Sequence, residues 1–508
     1  MSRGSIARVS ASRCAPPRAA AGSPTSTCPS SYRGSEGRAA GLIGVVAAGH
    51  PVTAEAGAGA LRAGGNAVDA AVAALCAGCA TEPLLTGLGA GGYMLVCTPD
   101  GEDVLLDFFV EVAGRGREHA GRAPLIAVDV SFGDANQLFH AGAASVGAYG
   151  MPAGICAAHG RFGTLPLADL VAPAVRAARD GVVINAQQAY LFEILAGIYA
   201  LTPASRDTFE FEGRAPRVGD VVVYPELADA LERLAADGSA PFYTGDVAAE
   251  VCRAVARGGG LLTPQDLAAY AVVARDPVRV AYRGREVITN PPPSAGGVLI
   301  AASLEQLEAG ATMVEALEHA QRRRTPAFLE QLGSTTHVSV IDGDGWACAA
   351  TVSNGEGSGV VAGGLHLNNM MGEEDLSPLG FFKHAPGLRL PSMMSPTIVR
   401  RDGAIELCVG SAGSNRIRSA ILQVVSRVVD EGLEAQAAVD APRLHWENDI
   451  VYCEPGVDAA ALEADGRTVA RFRAPNLFFG GAQCVVRSAD GALTGAGDPR
   501  RGGVAVAA

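Results

Sequence analysis

The spacing of hydrophobic residues predicts a chain that alternates between strands and helices from residue 41 onward. Residues 41–51 form a short apolar run that predicts a strand, and the small-residue stretch after it predicts two helical segments broken at Gly64–Gly65. The alternating stretch "GYMLVCTPDGEDVLLDF" predicts a hairpin with its turn at Pro99–Gly101. The N-terminal part of the folded chain therefore mixes both types of element.

The middle of the chain predicts mainly helices. From Leu165 to about Tyr270, several amphipathic segments end in glycine, as the C-termini of helices often do. Strand character returns at Val278 and ends in the Pro/Gly-rich stretch "NPPPSAGG", after which a helical segment leads to Gly333. From there to Leu367 the pattern predicts mostly strands.

The glycine-rich segment Gly87–Gly92 ("GLGAGG") matches the spacing of a dinucleotide-binding loop. However, a helix is predicted before this loop and a strand after it, which reverses the strand–loop–helix order that a pyrophosphate needs. The sequence therefore does not predict a nicotinamide-binding domain. A nucleotide-dependent oxidoreductase would require that this loop bind the cofactor.

The stretch "STTHVSVIDGDGWACAATVS" predicts a second hairpin, with its turn at the Asp-Gly pairs. We expect Ile341 to pair with Trp346 across this turn. That register puts the partner of Thr335 at Val352, within one residue, and Ser353 next to the two threonines. Threonine and serine in such positions are also ordinary stabilisers of sheets, so the cluster has a structural interpretation as well as a catalytic one.

A threonine hydroxyl is a weak nucleophile and needs a base to activate it. No Ser-His-Asp order and no G-x-S-x-G motif is evident in the sequence. If the chain were cut between Ser334 and Thr335, the new α-amine, with a pKa of about 7.7–8.0, could take the hydroxyl proton. His337 is then not needed as a base, and we predict a structural or processing role for it.

Composition narrows the classes of function. Of the 508 residues, 48% are hydrophobic and 18% are charged, which is typical of a folded globular chain. The length predicts roughly two to three domains. The formal net charge is −13 and the sequence has no basic stripe, so neither nucleic acid nor an anionic membrane is a predicted partner. The alanine-rich run Ala67–Ala80 contains Asp69 and is too short to span a bilayer.

The eleven cysteines mostly lie singly in apolar stretches, which predicts buried thiols in a reducing compartment. Cys76 and Cys79 form a C-x-x-C pair inside a predicted helix, but no second pair follows at metal-ligand spacing. Core packing is therefore favoured over a redox or zinc role. The sequence predicts neither a metal site nor a cofactor.

Residues 1–40 are rich in Ser, Arg, Ala and Pro and hold a single acidic residue, Glu36. They contain no apolar core of a secretory signal. Their composition resembles an organelle transit peptide, but a disordered extension, or a start codon assigned too far upstream, is the favoured interpretation. We predict a cytoplasmic protein, with export left open if the start is misassigned.

Ten stretches occur in a characteristic order between about Val45 and Arg500. They are "AAGHPVTAEAGAGALRAGGNAVDAAVAA", "TEPLLTGLGAGGYM", "GMPAGICAAHGRFGTLPLADLVAPAVRAARDGVVIN", "GGGLLTPQDLAAY", "NPPPSAGG", "STTHVSVIDGDG", "LHLNNMM", "SMMSPTIV", "GSAGSNRI" and "GAGDPRR". Together they resemble the γ-glutamyltransferase (γ-glutamyl transpeptidase) family of N-terminal-nucleophile hydrolases. The resemblance implies an α+β fold, an αββα four-layer sandwich, made as one precursor and self-cleaved into a large subunit (41–334) and a small subunit (335–508).

The resemblance also implies the catalytic residues. Thr335, the first threonine of T-T-H, is the expected nucleophile, and Ser353 carries the second hydroxyl of the family's dyad. The family's oxyanion hole maps to the backbone amides of Gly413 and Ser414. Backbone N–H groups tolerate the change of a side chain from glycine to serine, so this site is expected to be intact.

The sequence departs from the family where the substrate acyl group is recognised. Phe109 stands where the family carries an arginine for the substrate α-carboxylate, and an aromatic ring cannot make that charged contact. Arg115 or Arg117 could replace it. The family's serine pair reads Ser392–Met393, which exchanges one hydroxyl for a thioether.

Two further positions stay open. The acidic residue that binds the substrate amine is Glu373 or Glu374, one carbon longer than the family's aspartate. We assign the family's asparagine to Asn354, although Gly355 aligns equally well. The short segment after Glu374 predicts that the lid loop of some relatives is reduced or absent.

We therefore predict a γ-glutamyltransferase-like amidohydrolase or acyltransferase. By resemblance, its substrates are γ-glutamyl amides such as glutathione, its acceptor is water or an amine, and the protein is a heterodimer of its own two fragments. Further oligomerisation stays open. An acylase for a different side-chain amide is the alternative, and a non-catalytic, uncleaved relative is the second alternative.

Overall fold

The computed structural model describes residues 43–117, 121–131, 136–322, 335–374, 376–377 and 379–508. The predicted extension 1–40 and Ser334, on the N-terminal side of the predicted cut, lie outside the described residues. The described residues all belong to one compact unit, Gly41–Ala508.

The strands of the described residues, in chain order, are β1 Gly44–Ala48, β2 Gly91–Cys97, β3 Asp103–Phe108, β4 Ile126–Ser131, β5 Asn136–Ala141, β6 Val182–Val183, β7 Val221–Val222, β8 Val273–Arg275, β9 Val278–Tyr282, β10 Arg285–Thr289, β11 Thr336–Asp342, β12 Ala347–Ser353, β13 Val361–Ala362, β14 Leu365–His366, β15 Thr397–Arg401, β16 Ala404–Ala412, β17 Leu444–Glu447, β18 Ile450–Cys453, β19 Thr468–Arg471, β20 Gly481–Arg487, β21 Leu493–Ala496 and β22 Val504–Ala507.

The α-helices, in the same order, are α1 Pro51–Arg62, α2 Ala67–Thr81, α3 Met151–Phe162, α4 Leu167–Asp180, α5 Ala186–Ile194, α6 Ala196–Tyr199, α7 Pro203–Phe209, α8 Pro225–Asp237, α9 Ala240–Tyr243, α10 Asp246–Arg257, α11 Pro264–Ala268, α12 Gly296–Glu308, α13 Met313–Arg322, α14 Arg416–Asp430, α15 Ala435–Asp440 and α16 Ala459–Ala464. None of the described helices is both long enough and apolar enough to cross a membrane.

Two antiparallel sheets form the centre of the fold. The first has seven strands in the order β22-β1-β11-β12-β2-β3-β8, and the second has six in the order β21-β20-β16-β15-β10-β9. Strands β11 and β12 of the first sheet pack against β16 of the second, while α1, α2 and α3 cover the first sheet and α12 and α14 cover the second. The predicted αββα sandwich is confirmed.

The small side chains of α2 explain how a helix can be buried on every side. All fifteen of its residues are buried, and the helix packs against α1, α4 and the first sheet. Asn66 begins it with a capping box, because its side chain accepts from the Asp69 amide while the Asp69 carboxylate accepts from the Asn66 amide. Cys76 and Cys79 lie within this core as thiols, since burial raises the pKa of both, that of Cys79 to about 12.

The β11–β12 hairpin forms as predicted, but its register differs by one residue. Ile341 pairs with Ala347 rather than Trp346, and Thr336 pairs with Val352. The reason is the carboxylate of Asp342, which accepts from the Trp346 amide at 2.9 Å and widens the turn. This extra turn residue could not be read from the Asp-Gly pairs alone.

The prediction of mostly strands from Gly333 to Leu367 is only partly correct. Between β12 and Leu367 the described chain forms only two strands of two residues each, β13 and β14. Gly355, Gly357 and Gly359 adopt φ values of 63°, 81° and 70°, which a regular strand does not contain. The segment between Ser353 and His366 is therefore a folded loop, and it forms one wall of the site described next.

Candidate functional site

Thr335 lies in a narrow cleft between the two sheets. The cleft has a volume of about 40 Å³, well below the roughly 300 Å³ at which ligand pockets usually begin. Its lining combines four hydroxyl side chains, one carboxylate and mainly apolar groups: Phe109, Thr335, Ser353, Gly355, Met370, Glu373, Leu376, Ser392, Met393, Met394, Ser414 and Ile417. Most of the residues predicted from the sequence therefore meet at one place.

The alternation of side chains along β11 separates the two adjacent threonines. Thr335 faces the cleft, whereas the Thr336 hydroxyl donates to the buried carboxylate of Glu82 at 2.9 Å on the other side of the sheet. Glu82 lies one residue beyond α2 and was not predicted as a functional residue. Burial raises its pKa from 4.5 to about 7, although Thr336 and Arg501 oppose that shift.

His337 follows the threonines and is buried between the sheets. Its ring lies between the sheets, so close to β16 that a Cβ on Gly410 would come within 2.2 Å of it. Its Nδ1 lies 2.8 Å from the Thr351 hydroxyl and its Nε2 lies 2.9 Å from the Ser339 hydroxyl. Burial lowers its pKa to about 3, so the ring is neutral and both nitrogens are engaged away from Thr335.

Ser353 is the last residue of β12. Because Thr336 pairs with Val352, continuing the register by one residue places Ser353 opposite Thr335. The Ser353 hydroxyl accepts a hydrogen bond from the Gly355 amide at 3.0 Å, which orients it within the cleft wall. The predicted pair of hydroxyls is thus adjacent across the hairpin.

Gly413 and Ser414 form the turn between β16 and α14. Both have positive φ, 113° and 48°, and the second is uncommon for a residue with a side chain. Asn415 begins α14 but donates its side chain to Glu447 at 3.0 Å instead of capping the helix. The successive amides of this turn and the positive end of the helix dipole together suit a developing negative charge beside Thr335.

Phe109 lies directly after β3 and contributes to the cleft wall. It is 1% exposed, and its ring stacks on Tyr93 with 5.5 Å between the ring centroids. Arg115 instead contacts Glu111 at 3.1 Å, and Arg117 donates to the Gly260 carbonyl at 3.2 Å. Neither of these two arginines lines the cleft, so neither takes the place of the expected arginine.

Arg389 is a nearby cation that sequence reasoning missed. Its guanidinium donates to the backbone carbonyl of Phe109 and lies 3.5 Å from the Asp107 carboxylate and 3.4 Å from that of Glu111. It also donates to the Tyr270 hydroxyl at 2.5 Å. Arg389 therefore belongs to a charged network behind Phe109, in which Asp107 also pairs with Arg275 and Glu111 also pairs with Arg115. Its only signal in the sequence was an arginine three residues before Ser392.

The structure separates the two acidic candidates. Glu373 is 6% exposed and lines the cleft, where its Oε1 would lie 2.8 Å from a Cβ on Gly355. The Glu374 side chain is 31% exposed and lies 3.9 Å from His140 Nδ1, away from the cleft lining. Glu373 is therefore the better placed of the two.

The remaining candidates divide in a similar way. Gly355 lines the cleft, whereas the Asn354 side chain points away from it and donates to the His366 carbonyl at 3.0 Å. Ser392 and Met393 both line the cleft, and the Ser392 hydroxyl accepts from the Met394 amide at 3.1 Å. Met393 adds to the apolar part of the wall.

Comparisons with known proteins cover nearly the whole chain. A family model described as gamma-glutamyltranspeptidase matches residues 53–330 and 312–508. The chain is 33% identical over 537 residues to the glutathione hydrolase proenzyme of Escherichia coli (strain K12), with 90% of each chain covered. It is 31% identical over 533 residues to the acylase ACY 1 proenzyme of Pseudomonas sp. (strain SE83), which covers 92% of this chain and 94% of that one.

One solved structure is similar over the same extent. The cephalosporin acylase from Bacillus halodurans has a TM-score of 0.78 and 27% sequence identity, covering 92% of this chain and 96% of that one. The two relatives named above are proenzymes and all three are enzymes, which favours an enzyme over the non-catalytic alternative.

Proposed function

The chain belongs to the γ-glutamyltranspeptidase family, and within this family we propose that it is an acylase whose acyl group lacks an α-carboxylate. The general class predicted from the sequence, an amidohydrolase or acyltransferase of this family, is confirmed by the comparisons. The proposal concerns the cut before Thr335, the roles of the residues around it and the kind of acyl group.

The self-cleavage step follows from the position of Thr335. Its hydroxyl oxygen attacks the carbonyl carbon of residue 334, and the peptide nitrogen of Thr335 leaves that carbon as the amine. Water then hydrolyses the resulting ester, which releases the carboxylate of the large subunit (41–334) and restores the hydroxyl on the small subunit (335–508).

Turnover uses the new terminus. The α-amine of Thr335, with a pKa of about 7.7–8.0, takes the proton of the hydroxyl as it attacks the substrate amide and then gives it to the leaving amine. The amides of Gly413 and Ser414 stabilise the negative oxygen of the tetrahedral intermediate, and Ser353 orients the nucleophile. Water, or an amine acceptor, releases the acyl group from the ester.

One observation carries the proposal for the acyl group. The apolar part of the cleft wall beside Thr335 is made by Phe109, three methionines, a leucine and an isoleucine, and no lysine or arginine lines it among the described residues. Burying an unpaired carboxylate there would be costly, since an ion in an apolar site needs a charged partner. Arg389 does not supply one at the cleft wall, because it lies behind Phe109 and donates to the backbone carbonyl of that residue.

A γ-glutamyl amide is the second candidate, and Glu373 favours it. Its carboxylate is the charged side chain among the described lining residues and suits the α-amine of such a substrate. The 33% identical glutathione hydrolase proenzyme of Escherichia coli also supports this candidate. The two candidates differ in whether the cleft binds a carboxylate.

A set of four p-nitroanilides separates the candidates. The γ-glutamyl, 4-aminobutyryl, glutaryl and butyryl derivatives differ only in the presence of the amine and the carboxylate. We expect either the 4-aminobutyryl or the butyryl compound to have a higher kcat/KM than both the γ-glutamyl and the glutaryl compound. The expected difference is about tenfold or more. Faster turnover of the γ-glutamyl than of the 4-aminobutyryl compound would contradict the proposal.

A pair of variants at Phe109 tests the same point within the protein. Phe109→Arg should raise turnover of the γ-glutamyl compound relative to the 4-aminobutyryl compound, because it supplies the missing cation. Phe109→Gln is the neutral control of similar length and should leave that ratio near the wild-type value. An equal effect of both variants would mean that packing rather than charge controls the choice.

The remaining proposals concern partners and location. We infer a heterodimer of the two fragments, and a small-molecule amide with water or an amine as the acceptor. We also infer a reducing, cytoplasmic compartment, which is supported by the nine described cysteines, since none of them forms a disulfide.

A further inference from the structure

The turn at Gly413–Ser414 is anchored to a buried carboxylate on a different sheet. Glu447 is the last residue of β17, in the three-stranded sheet β17-β18-β19, and is 4% exposed. Its carboxylate accepts a hydrogen bond from the side-chain amide of Asn415 at 3.0 Å and pairs with the guanidinium of Arg416 at 2.7 Å. Asn415 and Arg416 directly follow Ser414 in the chain. Glu447 therefore holds the turn at the start of α14.

Glu447 is ionised in the folded protein. Burial by itself raises the pKa of its carboxyl, but Arg416 opposes burial strongly enough to leave that pKa well below its usual value. The result is a buried ion pair at the first turn of α14. The carboxylate also suits this place because the positive end of a helix dipole favours a negative charge.

The backbone of the turn requires an anchor. Ser414 has a φ of 48°, in the left-handed region that a residue with a side chain rarely adopts. A conformation of this kind persists only where its surroundings fix it. On the side of β16, Gly480 packs closely, since its Cα would lie 3.0 Å from a Cβ on Gly413. On the side of α14, the bonds of Asn415 and Arg416 to Glu447 provide the restraint.

Asn415 does not have the usual role of an asparagine at the start of a helix. Among the described residues its side chain makes no capping hydrogen bond to α14, and its backbone is already helical, with a φ of −57° and a ψ of −25°. A capping residue instead has an extended backbone and accepts from the amides of the first turn. The buried side chain of Asn415 therefore acts through Glu447 rather than through its own helix.

We propose that Asn415 and Glu447 are positioning residues for the oxyanion of the reaction. Neither side chain lines the nucleophile cleft. They act by holding the amide of Ser414 in the orientation that the developing negative oxygen requires. The inference rests on the function proposed above, in which the amides of Gly413 and Ser414 stabilise that oxygen. A displacement of about 1 Å in such a group can cost about 100-fold in rate, so loss of the anchor lowers kcat rather than substrate binding.

Asn415→Ala tests the anchor, because it removes the amide donor and leaves the ion pair of Arg416 and Glu447 in place. We expect kcat per cut chain to fall by about 10- to 100-fold and KM to change by less than about twofold. The loss should be the same factor for each of the four p-nitroanilides that the wild type turns over, since every acyl group passes through the same oxyanion. A denaturing gel gives the cut fraction by which each rate is divided.

Ser419→Ala is the matched control. Ser419 lies four residues after Asn415 on the same face of α14, and its hydroxyl lies 2.7 Å from Nδ1 of His445 on β17. The variant removes a buried hydrogen bond between the same helix and the same strand, one helical turn further from Ser414. We expect a similar fall in Tm in both variants but a kcat near the wild-type value in Ser419→Ala. Equal losses of kcat would mean that packing of α14 explains the effect, and would overturn the proposal.

An exchange of the two side chains tests whether the bond between them is responsible. Asn415→Asp alone places two carboxylates side by side and should lower kcat at least as much as Asn415→Ala. Adding Glu447→Gln restores one donor and one acceptor between the two positions and keeps the total charge, so kcat should recover by about fivefold or more. A double variant that keeps the Tm of Asn415→Ala but shows no recovery of kcat would contradict the proposal.

The outcomes separate the anchor from the function on which it rests. If Asn415→Ala keeps kcat within about twofold of the wild type, or loses different factors with different anilides, the anchor is wrong and the proposed function stands. If the wild type is neither cut nor active on any of the four anilides, the proposed function is wrong and the anchor fails with it.

Discussion

Two adjacent threonines, Thr335 directly before β11 and Thr336 at its first position, have identical side chains in opposite surroundings. Thr335 lies in the cleft with Ser353 and Ser414, whereas Thr336 donates to the buried carboxylate of Glu82. Thr336 therefore meets a group that could accept its proton, whereas Thr335 lies beside Ser414 of the amide turn. A base beside a hydroxyl does not make a nucleophile unless a reacting carbonyl and donors for its oxygen meet there as well.

The largest expected effect separates the two threonines directly. Thr335→Ala should leave one uncut chain and lower amide turnover by more than about 10³-fold, because it removes the attacking oxygen. Thr336→Val should still be cut. A denaturing gel of the purified proteins measures the cut, and an anilide assay measures amide turnover. If Thr335→Ala is processed normally, the assignment of the nucleophile is wrong.

The second-largest expected effect concerns Glu82 and the pH dependence of the free energy of unfolding. Its pKa rises from 4.5 to about 7 on folding, so the folded state holds a proton that the unfolded state has lost. This stabilisation is complete below pH 4.5 and is lost as the pH rises through 7, which amounts to about 3 kcal/mol. Glu82→Gln should flatten the fall in the free energy of unfolding over that window.

Urea unfolding of the cleaved protein at several pH values between 4.5 and 7 measures this difference. Glu55→Gln is the control, because the side chain of Glu55 is 60% exposed and pairs only with Arg62 among the described residues. If the free energy of unfolding falls with pH as steeply in Glu82→Gln as in the wild type, Glu82 is already ionised in the folded protein at low pH.

A smaller effect is expected within the cleft itself. Ser353→Ala should lower kcat by about 10- to 100-fold without abolishing the cut, because the hydroxyl orients the nucleophile but does not attack. Ser358→Ala is the control, since this buried serine donates to the Leu367 carbonyl and lies outside the cleft. Equal losses of kcat in the two variants would point to a general loss of packing.

The smallest effect concerns the amide turn. Ser414 has a φ of 48°, a conformation that costs a residue with a side chain about 1 kcal/mol. Ser414→Gly should raise the free energy of unfolding by about that amount and keep turnover within about twofold, because the amide is retained. Asp402→Gly, at a φ of 51° in the turn between β15 and β16, should stabilise equally. A large loss of turnover in Ser414→Gly but not in Asp402→Gly would mean that the serine hydroxyl, rather than the amide alone, contributes to catalysis.

Much of the fold could be predicted from the sequence, because helices, strands and turns depend largely on patterns of neighbouring residues. The break at Gly64–Gly65, the hairpin turn at Pro99–Gly101 and the helix-before-strand order around Gly87–Gly92 all appear in the structure. The motif order also predicted the family and hence the αββα layers. The register of the β11–β12 hairpin was one residue off, because a single carboxylate, that of Asp342, widened the turn.

The sequence predicted which types of residue form the candidate site but not which of them contact one another. Sequence alone placed Thr335, Ser353 and the Gly413–Ser414 amides in one set, and left Glu373 against Glu374 and Asn354 against Gly355 undecided. The packing of the loop after β12 decided between Asn354 and Gly355, and the packing of the segment after β14 decided between Glu373 and Glu374, because neighbouring residues direct their side chains differently.

The sequence by itself determined the elements, the family and the position of the internal threonine, because these depend on periodicity and on motifs of short range. Only the tertiary structure decided what surrounds that threonine. The partner of Thr336 is Glu82, 254 residues away, and the cation behind Phe109 is Arg389, 280 residues away. Such contacts exist only when the layers pack, since no local pattern specifies which distant charge meets a buried group.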